Sequence, residues 1–169
     1  IEELYSAGVQ KVIIFGNCGV LDSKIEDCSI IIPTKGFRDE GTSYHYVSSS
    51  ETIEINPDYK ENFIKILNEY NFDYTEGYTW TTDAFYRETK DKIKYFKDNG
   101  AVCVEMEGTV IASVCQRLNM KYFTFYYAGD NLDSTVWDKR SIDGPTNIDK
   151  KKEVLLLALE LAVVLNNYE

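Results

Sequence analysis

Short apolar runs alternate with segments of helical period along most of this chain. Lys11-Val12-Ile13-Ile14-Phe15 predicts a buried strand stopped by Gly16-Asn17-Cys18-Gly19, and Ser29-Ile30-Ile31-Ile32 predicts a second closed by Pro33. Residues 34–52 are polar and turn-rich, a long excursion of the kind that carries function. Asn56 then reads as the cap of a helix with Pro57 at its first position and Phe63, Ile64, Leu67 and Tyr70 as its apolar stripe. Residues 74–80 alternate like a strand whose direction is left open. Residues 90–98 predict a helix ended at Gly100, and residues 101–104 a strand. A helix over 107–118 presents Val110, Ile111, Val114, Cys115 and Leu118 on one face. A strand over 121–128, a loop over 129–147 and a helix over 148–166 complete the pattern. Apolar strands alternating with helices imply α/β architecture. The expectation is a single domain over 1–169, a three-layer αβα sandwich around a mostly parallel or mixed sheet.

Composition narrows the partners. A net charge of −10 argues against nucleic acid and anionic membrane, both of which select basic surfaces. The longest apolar block, residues 154–165, is twelve residues and contains Glu160, short of the ~20 that span a bilayer. The four cysteines (Cys18, Cys28, Cys103, Cys115) form no C-x-x-C pair and fit free thiols in a reducing compartment, so a cytoplasmic location is expected. The single histidine, His45, lies far from any cysteine in sequence and has no partner at catalytic spacing, so no metal site is expected. The chain opens at Ile1 in a helical pattern with no signal peptide, and a segment upstream of it is expected to be missing.

Three carboxylates stand where a parallel sheet collects its ligands, at the carboxyl ends of strands. Val104-Glu105-Met106-Glu107-Gly108 leaves one apolar run, and Ala128-Gly129-Asp130 leaves the next. A carboxylate accepting from two neighbouring hydroxyls suits a sugar diol, and a methionine can cover the flat face of the sugar. A helix N-terminus explains Glu107 alone, but neither Glu105 nor Met106. Aspartate after glycine is also an ordinary turn former, and Arg140 is either its partner or a surface arginine. Residues 16–19 can offer N–H groups to an anion, although tight turns use glycine anyway. Phe85 and Tyr86 are either core aromatics or rings that stack on a heterocycle.

Taken in order, Gly16-Asn17-Cys18-Gly19, residues 38–46, residues 81–88, Val104-Glu105-Met106-Glu107 and Ala128-Gly129-Asp130 resemble the nucleoside phosphorylase family, across almost the whole chain. That family comprises the trimeric and hexameric purine nucleoside phosphorylases, uridine phosphorylases and related nucleosidases. The resemblance implies that Glu107 holds the ribose hydroxyls and that Met106 and Glu105 line the sugar pocket. It places Thr82 and Phe85 beside the base, and Val104, Cys18 and Gly19 in the nucleoside site. Asn17 falls where the family usually has a serine or threonine on phosphate. Asp130 matches the aspartate directed at the base, with Arg140 as its helper. Uridine-specific members carry a glutamine and an arginine after the Phe-Tyr pair. Arg87-Glu88-Thr89-Lys90-Asp91 departs from that pattern and favours purines. The implied activity is phosphorolysis of a purine nucleoside, with inorganic phosphate as co-substrate and no cofactor. The implied assembly is a homo-oligomer based on dimers, up to a hexamer. A methylthioadenosine or adenosylhomocysteine nucleosidase, a uridine phosphorylase and a non-catalytic nucleoside-binding protein are the alternatives. The family's upstream glycine and arginine for phosphate would precede Ile1.

Overall fold

The computed structural model describes residues 1–166. Six strands form one mixed sheet: β1 (Lys11–Val20), β2 (Ile30–Asp39), β3 (Thr52–Glu54), β4 (Tyr74–Thr82), β5 (Ala101–Glu105) and β6 (Lys121–Asn131). Their order is β3-β2-β4-β5-β1-β6, and a further β2–β6 pairing closes the sheet on itself. The β2–β4, β4–β5 and β1–β6 pairs are parallel, whereas β2–β3, β1–β5 and β2–β6 are antiparallel. The α/β expectation therefore holds, with β4 parallel to both neighbours.

Helices α1 (Glu2–Ser6), α2 (Lys60–Glu69), α3 (Lys90–Asp98), α4 (Gly108–Leu118) and α5 (Ile148–Asn166) cover the sheet. Side chains alternate across a strand, so parity assigns the faces. Phe123 and Phe125 of β6 join Phe63, Leu67, Leu157 and Leu161 of α2 and α5. Trp80 of β4 points to that same face and packs on Phe96 of α3. Thr79 and Thr81 of β4, and Tyr122 of β6, face the other way, toward α4. A central sheet with helices on both faces results. Within α2 the stripe differs from expectation: Ile66 is buried and Tyr70 is exposed.

Strands β1, β2 and β6 outrun their predicted ends by three residues or more. Residues 16–19 do not turn but continue β1 beside β6, with a register shift between Cys18 and Gly19. Pro33 does not close β2. It sits at a register shift where β2 leaves β6, pairing through Ile30 and Ile31, and takes up β3 through Lys35, Gly36 and Phe37. A proline is tolerated at such an irregularity because no ladder bond is asked of it. Residues 129–131 extend β6, so Asp130 lies on a strand rather than in a loop.

Asn56 is not a helix cap. It takes φ 55° and spends its carboxamide in the fork between β2 and β6. Its Nδ2 donates to the carbonyls of Pro33 (3.0 Å) and Thr124 (2.6 Å), and its Oδ1 accepts from Thr124 N (2.7 Å). The helix begins three residues later, behind Tyr59 at φ 68°. Pro57 followed by a left-handed Tyr59 interrupts the helical path that the capping pattern implied.

Candidate active site

Three strand ends build one rim. Gly19 of β1 is in register with Val104 of β5 on one side and Asp130 of β6 on the other. The absence of a side chain at Gly19 permits this approach. A Cβ there would meet Leu132 Cδ1 at 2.3 Å, Asp130 Oδ1 at 3.0 Å and Val104 Cγ1 at 3.3 Å. The ends of β5 and β6 are thus two strand spacings apart, roughly 10 Å.

The two glutamates expected at the sugar have different surroundings. Glu105 is buried, and five protein donors reach its carboxylate. Thr79 Oγ1 (3.0 Å) and Thr81 Oγ1 (2.6 Å) donate to Oε1. The N–H groups of Glu107 (2.8 Å) and Gly108 (2.6 Å) and the Tyr126 hydroxyl (3.1 Å) donate to Oε2. Burial pushes its pKa up, and the Thr81, backbone and Thr79 bonds oppose that rise. Glu105 thus ties the first N–H groups of α4 to β4 and β6. Gly108 leaves room for this, since a Cβ there would meet Tyr126 Oη at 2.6 Å and Glu105 Oε1 at 2.9 Å.

Glu107, directly before α4, is exposed, and its carboxylate has no partner among the described residues. Met106, 40% exposed, lies beside it. Sequence reasoning treated the two glutamates alike; burial separates a structural carboxylate from an available one. The hydroxyls that hold Glu105 were missed, although the spacing of Thr79 and Thr81 places both on one face of β4.

Asp130 is buried at the other end of the rim, and its Oδ2 accepts from Trp137 Nε1 at 2.6 Å. Burial raises its pKa, while the Trp137 bond and the Arg140 charge oppose the rise. Arg140 does not touch the aspartate. It donates to the Ile25 carbonyl (2.8 Å) and lies 3.6 Å from Asp138 Oδ2. Glu88, half-buried after the turn Phe85–Arg87, has its pKa raised to about 7, first by burial and then by the charge of Asp130. Sequence reasoning gave no role to Glu88 or Trp137, because both meet Asp130 only through the fold.

The remaining candidates divide between surface and interior. Asn17 is exposed on β1, and its Cβ lies 3.2 Å from where a Cβ on Gly129 would stand. Phe85 is half-exposed, with its ring 4.0 Å from that of Tyr86. Thr82, Val104 and Cys18 are buried. The Thr82 hydroxyl accepts from Ala84 N at 3.3 Å, and burial pushes the Cys18 thiol well above its ordinary pKa. His45 is exposed in the short turn Ser43–His45. All four cysteines are free. Among the described residues no cluster of ligands suits a metal ion, and no helix is long and apolar enough to cross a membrane.

A mixed α/β sheet that carries carboxylates at the ends of β5 and β6, on either side of β1, defines a class of fold. The sequence pattern of the phosphorylase superfamily matches residues 1–163, and the chain belongs to that superfamily. It is 24% identical over 121 residues to a guanosine phosphorylase of Halorubrum lacusprofundi, covering 72% of this chain and 50% of that one. It is 30% identical over 139 residues to a 5′-methylthioadenosine/S-adenosylhomocysteine nucleosidase of Buchnera aphidicola, covering 76% of this chain and 60% of that one. The solved structure of the P. knowlesi homologue of P. falciparum PNP superposes with a TM-score of 0.79 at 19% identity, covering 97% of this chain and 65% of that one. The chain spans about half to three fifths of the length of these two curated relatives.

Proposed function

We propose that the protein cleaves the N-glycosidic bond of a purine nucleoside with inorganic phosphate, giving free base and ribose 1-phosphate. The observation that carries this reading is that an exposed carboxylate without a partner among the described residues, Glu107, and a buried carboxyl, Asp130, stand at strand ends on either side of Gly19. Glu107 accepts from the ribose 2′- and 3′-hydroxyls while Met106 covers the sugar. Glu105 acts one step back, by fixing the start of α4. Thr82 and Phe85 border the base, and Val104, Cys18 and Gly19 form the floor between sugar and base. Asn17, exposed on β1, offers its amide to phosphate.

Breaking the bond builds positive charge on the sugar and negative charge on the leaving base. Phosphate meets the first, and a proton from Asp130 to purine N7 meets the second. An ordinary aspartate is protonated in only about one molecule in a thousand at neutral pH. The burial of Asp130 moves it in the required direction, while Arg140 opposes and steadies the carboxylate left behind.

The likeness to the Buchnera nucleosidase favours a second reading, hydrolysis by the same site, and Asn17 stands where the resemblance implies a serine or threonine on phosphate. Release of base from inosine, guanosine, adenosine and methylthioadenosine, with and without phosphate, separates the two. Phosphorolysis predicts ribose 1-phosphate from a purine riboside and no turnover without phosphate. Equal turnover in phosphate-free buffer refutes it.

A further inference from the structure

Trp137 is 60% exposed, so burial gives this large ring little reason to sit where it does. Its indole N–H instead reaches back seven residues to Asp130 Oδ2, at 2.6 Å. The connecting loop is pinned: Asn131 N donates to Asp138 O (2.8 Å) and Asp138 N to Asn131 O (3.2 Å). Farther along, Asp133 accepts from Ser23 N at 3.0 Å and pairs with Lys97. The other carboxyl oxygen, Oδ1, faces Gly19 and lies 3.0 Å from where a Cβ there would stand.

We propose that Trp137 is a positioning residue for proton transfer: its indole N–H fixes Asp130 Oδ2, so that Oδ1 carries the proton to the leaving base. This role rests on the assignment of Asp130 to base activation. As the C1′–N9 bond breaks, its electron pair passes to the base. The Oδ1 proton then moves to N7, and the carboxylate that remains keeps the Trp137 bond. A donor to the ionised form and a fixed rotamer together give the carboxyl one reacting oxygen rather than two. The other charged or titratable groups acting around Asp130 are Arg140 and Asp138 from the loop, Glu88 from the turn before α3 and Cys18 from β1.

The test has a spectroscopic and a kinetic arm on the whole encoded protein. Trp137→Phe identifies the Trp137 indole 15N–1H signal by its loss; Trp80, the other tryptophan of this sequence, donates to Asp39 (3.0 Å). The Trp137 signal is expected to shift with pH in the wild type and in Glu88→Gln, but not in Asp130→Asn. Trp137→Phe is expected to lower kcat about tenfold with KM within about twofold. It should also move the alkaline limb of the kcat profile upward by about one pH unit, since the ionised form loses a donor. An indole signal that ignores Asp130, or a limb that stays in place, overturns the positioning role alone. Full turnover in Asp130→Asn overturns base activation and this role with it.

Discussion

Removing the Glu105 carboxylate should unfasten the start of α4. Glu105→Ala withdraws the acceptor from three buried hydroxyl groups (Thr79, Thr81 and Tyr126) and from the N–H groups of Glu107 and Gly108. A bond to a charged group contributes about 1.5–3 kcal/mol, and each donor left buried without a partner costs about 1–3. The five losses are not additive, because water and hydroxyl rotation rescue some of them. The ~3–5 kcal/mol typical of breaking a buried charged network is the expected cost. Glu105→Gln should cost only about 1–2 kcal/mol. Its amide oxygen serves the two N–H groups and Tyr126, and its NH₂ turns toward Thr79 and Thr81. Each of those hydroxyls already accepts one bond, from Cys103 Sγ (3.4 Å) and Thr109 N (3.1 Å) respectively, and keeps a second lone pair. Urea unfolding at pH 7, followed by circular dichroism, measures both variants. A loss below about 1 kcal/mol in Glu105→Ala, or equal losses in the two variants, refutes this account of the carboxylate.

Other consequences follow from individual side chains. Asn56→Ala opens the fork between β2 and β6, loses three bonds and leaves Thr124 N unpaired, so denaturation should report a loss of about 2–4 kcal/mol. Glu88 titrates near 7 in the fold against an ordinary 4.5, so its protonated form is favoured and stability falls as pH rises between those values. Partial exposure reduces the implied ~3 kcal/mol to about 1, so Glu88→Gln should raise Tm at pH 8 by about 2–4 °C and leave it unchanged below pH 4.5. A gain of the same size at low pH would contradict that. Asp130→Ala should lower purine nucleoside turnover by about two to four orders of magnitude, and unchanged turnover defeats the assignment.

Much of the architecture was legible because period and parity are local properties. The helix over 90–98 ends where Gly100 takes φ 96°, and β5 ends where Glu105 meets the next helix. The misreadings share one cause. Residues 16–19, Pro33 and Asn56 carry the chemistry of turns and caps, yet each is used by a neighbouring strand that the local sequence does not reveal. The site was legible as an order of segments. That Glu105 is consumed while Glu107 stays available depends on Thr79, Thr81 and Tyr126, which only the fold brings to it, and the hold of Trp137 on Asp130 depends on the path of the loop between them.

The most direct measurement of the central claim is the ratio of kcat/KM for inosine to that for 2′-deoxyinosine, in the wild type and in Glu107→Gln. If Glu107 grips the diol while Asp130 serves the base, the wild type favours the riboside. Glu107→Gln then collapses that preference by about tenfold or more, with the loss concentrated on the riboside. An unchanged ratio would mean that the free carboxylate at the head of α4 does not touch the sugar.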